Sequence, residues 1–189
     1  MILIVLPDVA EDRQLLSRAR QQNKDALRII YERYFPPIFQ FIQLRVNSRE
    51  QARDIAADVF LDFMMALRGR TSPHTNLRGW LFRVARNKVY EHYGKQKKSL
   101  EIALEEWVPN QHDDSPESQL LNVMRIEQVR TALGKLKDEQ QEVILLRFGQ
   151  ALDLQETADI MNKSVSAIKS LQFRAIQNLR DLIHVGEET

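Results

Sequence analysis

The sequence predicts an all-α protein in which two small helical domains are joined by an acidic linker. Apolar residues recur at every third or fourth position along most of the chain, which is the period of an amphipathic helix, and alternating strand patterns are absent. Glycine and proline number only six each among 189 residues, and there is no cysteine. The lack of cysteine excludes disulfides, thiolate zinc sites and cysteine nucleophiles, and it is typical of a reducing compartment.

The first domain is predicted over residues 12–98. Its first helices have apolar faces around Leu15 and Ile30, and a third apolar face follows Pro37. Because proline lacks the backbone N–H of a helical hydrogen bond, we expect Pro36 and Pro37 to break or kink the second helix.

The helix that follows Ser48, a plausible N-cap, carries both an apolar and an acidic stripe. The apolar stripe consists of Ala52, Ile55, Val59, Phe63 and Leu67. The acidic stripe consists of Glu50, Asp54, Asp58 and Asp62, spaced four apart. Like charges at this spacing weaken a helix, and a partner with a basic surface would offset that cost. An ordinary solvated face is the plainer interpretation, and a metal site is disfavoured because no matching helix of Glu and His accompanies the stripe.

A basic, aromatic helix comes next and ends near Lys98. Its predicted inward stripe consists of Leu77, Leu81, Val84, Ala85 and Val89. A second face carries Trp80, Arg83, Asn87 and Tyr90. Between Arg68 and Lys98 there are nine lysines and arginines, and Glu91 is the only acid. Basic side chains interleaved with aromatic ones favour binding of single-stranded nucleic acid. A tryptophan buried in the core beside a solvated helix end would give the same pattern.

Residues 99–119 form the predicted linker. It contains six acidic residues, two prolines and no lysine or arginine. The second domain is predicted over residues 120–184.

The second domain contains the features of a helix-turn-helix, a pair of helices that presents its second member to the major groove of DNA. Asp153 and Glu156 are spaced as a capping box, and the small Ala158 suits the crossing of two helices. Asn162 tolerates the left-handed backbone that ends a helix, and Ser164 can cap the next one.

The second helix of this pair has an apolar stripe and a basic outer face. The stripe consists of Ile168, Leu171, Ala175, Leu179 and Leu182. The outer face has four basic residues and no acidic one: Lys163, Lys169, Arg174 and Arg180. Such a face can bind phosphates and donate to base edges. A plain helical hairpin is the alternative, and the motif alone would fit a repressor, an activator or a polymerase subunit.

Four segments, in this order along the chain, are similar to segments of one protein family. They are ALRIIYERYFPPIFQFI, ARDIAADVFLDFMMAL, LRGWLFRVARNKVYEHY and LGKLKDEQQEVILLRFGQALDLQETADIMNKSVSAIKSLQFRAIQNL. On these segments the chain, from about Leu15 to Leu182, resembles the extracytoplasmic-function (ECF) group of bacterial sigma factors. The resemblance implies a promoter-specificity subunit whose region 2 docks on core RNA polymerase and opens the −10 element, and whose region 4 recognises the −35 element.

The resemblance also implies roles for particular residues. Core polymerase would be contacted by Asp54, Asp58, Val59, Phe60 and Asp62. The melted −10 strand would be contacted by Asn76, Trp80, Arg83, Asn87 and Lys88. The −35 duplex would be contacted by Lys169, Ser170, Phe173 and Arg174. At the position of Leu171 the family usually has a basic residue and at Gln172 an apolar one, so these two are exchanged here.

The implied partners are core RNA polymerase and promoter DNA, which is duplex at −35 and single-stranded at −10. Anti-sigma proteins commonly regulate the family, so such a partner is plausible, although no motif identifies one. We expect no cofactor, no metal, no catalytic residue and no membrane insertion, and we expect the protein in the cytoplasm.

Two other function classes compete with the sigma interpretation. A stand-alone helix-turn-helix regulator would bind duplex DNA by itself, usually as a symmetric dimer. An enzyme is disfavoured because the four histidines are scattered and no nucleophile or metal signature accompanies them.

Overall fold

The structure, a computed structural model, describes residues 9–46, 48–69, 71–73, 76–93, 129 and 131–185. All regular elements in these ranges are helical, which confirms the all-α prediction. The predicted linker lies outside the described residues, and the domain boundaries stay predictions. Within the described residues, no helix combines the length and the apolar character needed to cross a membrane.

The described residues of the first half form four helices. They are α1 (Val9–Arg20), α2 (Lys24–Gln43), α3 (Arg49–Arg68) and α4 (Leu77–Tyr93). Asn23 caps α2 by accepting from the backbone N–H of Ala26 at 2.9 Å. Ser48 caps α3 as predicted, with its side chain accepting from the backbone N–H of Gln51 at 3.4 Å. The four helices pack around one core, in which all five residues of the predicted apolar stripe of α3 are buried.

Helix α2 runs through Pro36 and Pro37, so the break that was one of the two expected effects of the prolines is wrong. Each proline removes one backbone hydrogen bond, a local cost that would end an isolated helix. In the folded protein, buried Tyr34, Ile38 and Phe41 fix the helix on both sides of the prolines. Tertiary packing therefore outweighs the local preference.

A buried polar pair joins α1 to α2. The Tyr34 hydroxyl donates a hydrogen bond to the Asp12 carboxylate, and Arg33 Nη1 lies 3.6 Å from Asp12 Oδ1. Burial raises the pKa of Asp12 above its usual range, and burial together with the Asp12 contact raises the pKa of Tyr34. The pair therefore has a desolvation cost that the hydrogen bond and Arg33 only partly offset.

Among the described residues of the second half, three further helices and one π-helical turn have defined bounds, and residues 131–134 are also helical. The helices are α5 (Asp138–Ile144), α6 (Leu154–Met161) and α7 (Val165–Val185), and the π-helical turn is Leu145–Gly149. Helix α5 packs against α7, and α6 packs against both α7 and α4. The buried side chains of the two halves form one continuous cluster, so the halves are in contact along α4.

The predicted helix-turn-helix is confirmed at each of its local signals. Asp153 and Glu156 form a reciprocal capping box, with the Glu156 backbone N–H donating to Asp153 at 2.7 Å and the Asp153 N–H donating to Glu156 at 2.9 Å. Asn162 ends α6 in the left-handed conformation, with φ of 53°. Ser164 accepts from the backbone N–H of Ala167 at 3.2 Å at the start of α7. Ala158 is buried, so α6 and α7 are fixed by local hydrogen bonds as well as by packing.

Candidate nucleic-acid interface

The outer face of α7 presents all four residues that were predicted to contact the −35 duplex. Lys169, Ser170, Phe173 and Arg174 are exposed, and Phe173 retains 64% of its accessible surface. The Arg174 Nε donates to the backbone oxygen of Ser170 at 3.3 Å, a bond within the same helix. A large apolar ring with this exposure has no role in the core, and an apolar ring can contact a thymine methyl group in the major groove. The arrangement therefore exposes together the charged, hydroxyl and apolar groups that a surface for duplex DNA would need.

The exchange at Leu171 and Gln172 has a structural explanation. Leu171 is buried, as its place in the predicted apolar stripe requires. The Gln172 side-chain oxygen accepts from Arg147 Nε at 3.0 Å, and Arg147 also donates to the backbone oxygen of Leu152. Gln172 thus ties α7 to the π-helical turn and the loop before α6. The basic group beside Gln172 is the guanidinium of Arg147, which belongs to the π-helical turn and not to α7.

Asn76, the first residue predicted to contact the −10 strand, is the N-cap of α4. Its side-chain oxygen accepts from the Gly79 backbone N–H at 2.7 Å. A Cβ atom added to Gly79 would lie 2.7 Å from Asn76 Nδ2, so the glycine is needed for this close approach. The structure therefore assigns Asn76 a role in folding that the prediction had not included.

Trp80 and Lys88, also predicted to contact the −10 strand, pack against α3. Trp80 is half-buried, and its ring centroid lies 5.8 Å from that of Phe63. The Lys88 ammonium lies 2.8 Å from Asp62, a residue predicted to contact polymerase. These contacts join the two predicted surfaces of the first half.

Arg83 and Asn87 are the −10 candidates with exposed side chains on α4 itself. They line a cleft whose opposite wall is built from the turn of the helix-turn-helix, including Asn162, Lys163 and Ser164. The described part of the chain offers neither of them a hydrogen bond or an ion pair. Both groups face the second half of the molecule across this cleft.

Three residues on α4 bind the second half directly, and of these the sequence analysis had named only Tyr90. Arg86 Nε donates to Glu142 Oε1 at 2.7 Å, and the Tyr90 hydroxyl donates to Glu142 Oε2 at 3.1 Å. Near the start of α4, Arg78 forms an ion pair with Glu156 of the capping box. Val84, predicted to face inward, is only half-buried, whereas Phe82 is fully buried. No signal in the sequence links residues as far apart as Arg86 and Glu142.

The acidic stripe of α3 lies at the surface. Of the five residues predicted to contact polymerase, however, Val59 and Phe60 are buried. Asp54 and Asp58 are exposed and Asp62 is half-buried. Val59 has no exposed surface and Phe60 only 6%, so in this conformation they support the helix from inside. Their apolar character and their spacing within α3 explain why they join the core.

Exposed apolar side chains accompany the acids, and the sequence analysis missed them. Leu61 is 56% exposed and Met65 is 62% exposed. Leu61 follows Asp58 by three positions and Asp54 by seven, so these residues share one helical face. The available signal was that Leu61 and Met65 fall outside the buried stripe of α3. A mixed acidic and apolar face of this kind suits a protein partner.

Among the described residues, no group of three or more His, Asp or Glu side chains is arranged to hold a metal ion. The acidic stripe therefore offers carboxylates along one helix without the second set of ligands that a metal site requires.

Comparison with known proteins gives matches along most of the chain. The model for Sigma-70 region 2 matches residues 30–99, and the model for Sigma-70, region 4, matches residues 132–181. The chain is 32% identical over 177 residues to the ECF RNA polymerase sigma factor BldN of Streptomyces coelicolor, covering 93% of this chain and 67% of that protein. It is 31% identical over 163 residues to the RNA polymerase sigma factor YlaC of Bacillus subtilis, covering 84% of this chain and 92% of that protein. In fold it resembles CnrH, solved in complex with the cytosolic domain of CnrY, with a TM-score of 0.70, 24% identity and coverage of 94% of this chain and 99% of that one.

Proposed function

The chain belongs to the ECF family of RNA polymerase sigma factors, and on this premise we propose how its surfaces divide the work of a promoter-specificity subunit. In this division α7 binds the −35 duplex, α4 binds the melted −10 strand, and the exposed face of α3 docks on core polymerase. The two family models match the two halves that carry these surfaces, so a stand-alone regulator is not favoured.

The −35 assignment rests on the four exposed side chains of α7. Lys169 and Arg174 supply positive charge for phosphates and donors for base edges, Ser170 supplies a hydroxyl, and Phe173 supplies an apolar surface. Because Ser164 caps the start of α7 and Gln172 holds the helix to Arg147, these groups are presented without a folding step. Preorganisation of this kind favours recognition of a rigid duplex.

The −10 assignment rests on the positive and aromatic face of α4. Arg83 and Lys88 would hold the backbone, the Trp80 ring would stack against an unpaired base, and Asn87 would contact a base edge. Asn76 would act mainly as the cap that fixes the start of the helix. The protein would carry out no covalent step, because binding energy from the polymerase and the −35 contacts would offset the cost of unpairing and flipping the −10 bases.

The docking assignment rests on the mixed face of α3. Asp54 and Asp58 would meet a basic surface of core polymerase, and Leu61 with Met65 would bury apolar area beside them. Val59 and Phe60 would contribute by fixing the helix. CnrH was solved with CnrY, and a regulatory protein could bind this chain also, in competition with polymerase. A subunit that acts with RNA polymerase at promoters would be found in the cytoplasm.

The experiment that tests the proposal is in-vitro transcription with purified bacterial core polymerase on a genomic DNA library, with and without the protein. We expect new start sites that share one −35 and one −10 sequence. DNA binding by the protein alone with no new start sites would overturn the proposal and favour a stand-alone regulator.

A further inference from the structure

The exposed side chains of α7 can read bases only if the helix is held at a defined angle about its own axis. Ile168, Leu171 and Ala175 are buried, so they fix which side of α7 faces the core. Apolar contacts have no direction, however, and they permit small rotations. The outer edge of a helix lies about 5–6 Å from its axis, so a rotation of about 10° moves a group there by about 1 Å. Since donor and acceptor atoms must lie about 2.7–3.2 Å apart, such a shift would weaken a base contact.

One hydrogen bond between side chains opposes this rotation. The Gln172 side-chain oxygen accepts from Arg147 Nε at 3.0 Å. Gln172 follows the buried Leu171 by one position, or about 100° around the helix, so the bond is made at the edge of the apolar stripe. A bond at this edge resists rotation more than a contact directly under the helix does. Phe173 and Arg174, two of the −35 candidates, follow Gln172 immediately in the chain.

The other end of this bond is itself fixed. Arg147 lies in the π-helical turn Leu145–Gly149, which is closed by the Gln150 backbone N–H donating to the Leu145 oxygen at 2.9 Å. The same guanidinium donates to the backbone oxygen of Leu152, a residue with no exposed surface. Turns of this kind are rare and occur frequently at functional sites. Arg147 therefore offers α7 a donor whose position is set by the backbone around it.

Orientation matters more in this chain because one base contact is missing. Leu171 is buried at the position where the family usually has a basic residue, so it offers no donor to DNA. Discrimination between −35 sequences must then come from the four exposed candidates, Lys169, Ser170, Phe173 and Arg174. All four are carried by one helix, so a single rotation would misplace them together.

We propose that Arg147 and Gln172 are a positioning pair, which sets the orientation of α7 and thereby how strictly the −35 sequence is read. This inference rests on the proposed function for the assignment of α7 to the −35 duplex. The pair acts through the four exposed candidates and needs no base contact of its own. Its loss would lower the preference for one sequence over others more than it lowers the affinity for DNA in general.

The test compares three substitutions on α7 in the full-length protein. Gln172→Leu removes the acceptor and introduces the apolar character that the family usually has at this position. Gln172→Glu keeps a side-chain oxygen that can accept from Arg147. Gln177→Leu is the matched control, because Gln177 is a second half-buried glutamine of α7, whereas Arg147 donates to Gln172 and Leu152.

Each variant is assembled with core polymerase and offered a mixture of duplex promoters. The mixture contains the promoter that the wild-type holoenzyme selects from the genomic library and versions of it that carry one changed base pair in the −35 element. Sequencing of the bound DNA gives the ratio of the preferred promoter to each changed one. A substitution that only destabilised the protein would lower the binding of every duplex alike and leave this ratio unchanged.

We expect Gln172→Leu to lower the ratio by about fivefold to tenfold, the size of one weakened base contact. Gln172→Glu should retain the wild-type ratio, while its added negative charge lowers the affinity for all duplexes together. The Gln177→Leu control should change neither quantity. An unchanged ratio in Gln172→Leu, or an equal loss in Gln172→Glu, would overturn the positioning pair.

A substitution at the other end of the bond gives an independent result. Arg147→Lys keeps the positive charge but loses the planar fork that donates to both Gln172 and Leu152. We expect it to lower the ratio by a similar factor, and it decides the question if Gln172→Leu fails to fold by circular dichroism. Arg147→Lys combined with Gln172→Leu should be no worse than either alone, because both remove the same bond. Additive losses would show that the two residues act separately and would overturn the pair.

The proposed function fails separately from the positioning pair. If the wild-type holoenzyme shows no preference among the −35 duplexes, the assignment of α7 is wrong and the inference fails with it. If the wild type has a preference and Gln172→Leu keeps it, the proposed function stands and the positioning pair does not.

Discussion

Helices α4 and α7 carry candidate side chains for two matching proposed tasks, but more of those on α4 contact other parts of the protein. On α7 the four candidate side chains are exposed, and the one recorded hydrogen bond among them, from Arg174, is to the helix's own backbone. On α4, by contrast, Asn76 caps the helix, Trp80 packs on Phe63 and Lys88 pairs with Asp62. The proposed duplex surface on α7 is therefore preformed, whereas three of the five candidates for the melted strand already have partners within the protein. Four sets of substitutions test this difference and the helices that support it.

The largest expected effect is a difference in stability between two phenylalanine variants, one on α4 and one on α7. Phe82→Ala on α4 removes a fully buried ring that lies 5.5 Å from the Phe41 centroid, and we expect it to lower the free energy of unfolding by about 3–5 kcal/mol. Phe173→Ala on α7 removes an exposed ring and should change the free energy of unfolding by less than about 0.5 kcal/mol. Urea denaturation of both variants measures the contrast, and equal losses would show that Phe173 is part of the fold.

The second effect concerns the affinity of α7 for promoter DNA. We expect Arg174→Ala to weaken binding of the holoenzyme to its promoter by about 1–3 kcal/mol, the range for one base contact, with little change in affinity for core polymerase. Promoter binding is measured by gel shift and polymerase binding by a pull-down. Arg28→Ala on α2 is the control, because Arg28 is also an exposed arginine and lies outside the predicted DNA surfaces. Equal loss of both affinities would contradict the assignment of Arg174.

The third effect concerns the docking face that lies next to α4. Asp58→Arg should weaken assembly with core polymerase by about 1 kcal/mol or more, because it places a positive charge against the expected basic surface while leaving the fold intact. The measurement is competition for core polymerase against the wild-type chain. Asp25→Arg, an equal change at an exposed position of α2, should assemble normally. Unchanged assembly of the Asp58 variant would remove α3 from the docking surface.

The smallest effect tests the buried polar pair of the first half. Burial raises the pKa of Asp12 in the folded state, so the neutral carboxyl is favoured there. The contribution of the Asp12 carboxyl to stability is fully present below the pKa that it has in the unfolded chain, ordinarily about 3.9. It is lost as pH rises through the higher pKa of the folded state. Asp12→Asn stays neutral, so the free energy of unfolding of the wild type should fall relative to the variant over that window. If the free energies of unfolding of the wild type and the variant differed by the same amount at every pH, the raised pKa of Asp12 would be contradicted.

Much of the fold followed from local sequence signals. The capping box of Asp153 and Glu156, the left-handed Asn162 and the 3.6-residue period of α3 each involve residues within about one turn or on one face of a single helix, and the structure has all of them. The exposed face of α7 was predictable for the same reason, since its period places the candidates opposite the apolar stripe. Resemblance to a family then supplied roles that periodicity could not.

Local sequence therefore predicted the amphipathic helices, the caps at Ser48, Asp153 and Ser164 and most of the inward faces, because these depend on neighbours along the chain. Tertiary structure alone decided that α2 continues through Pro36 and Pro37 and that Val59 and Phe60 are covered. It also decided that Glu142 meets Arg86, a contact between residues 56 positions apart. Contacts at such separation leave no periodic trace in the sequence, and their energies depend on burial, which exists only once the helices have packed.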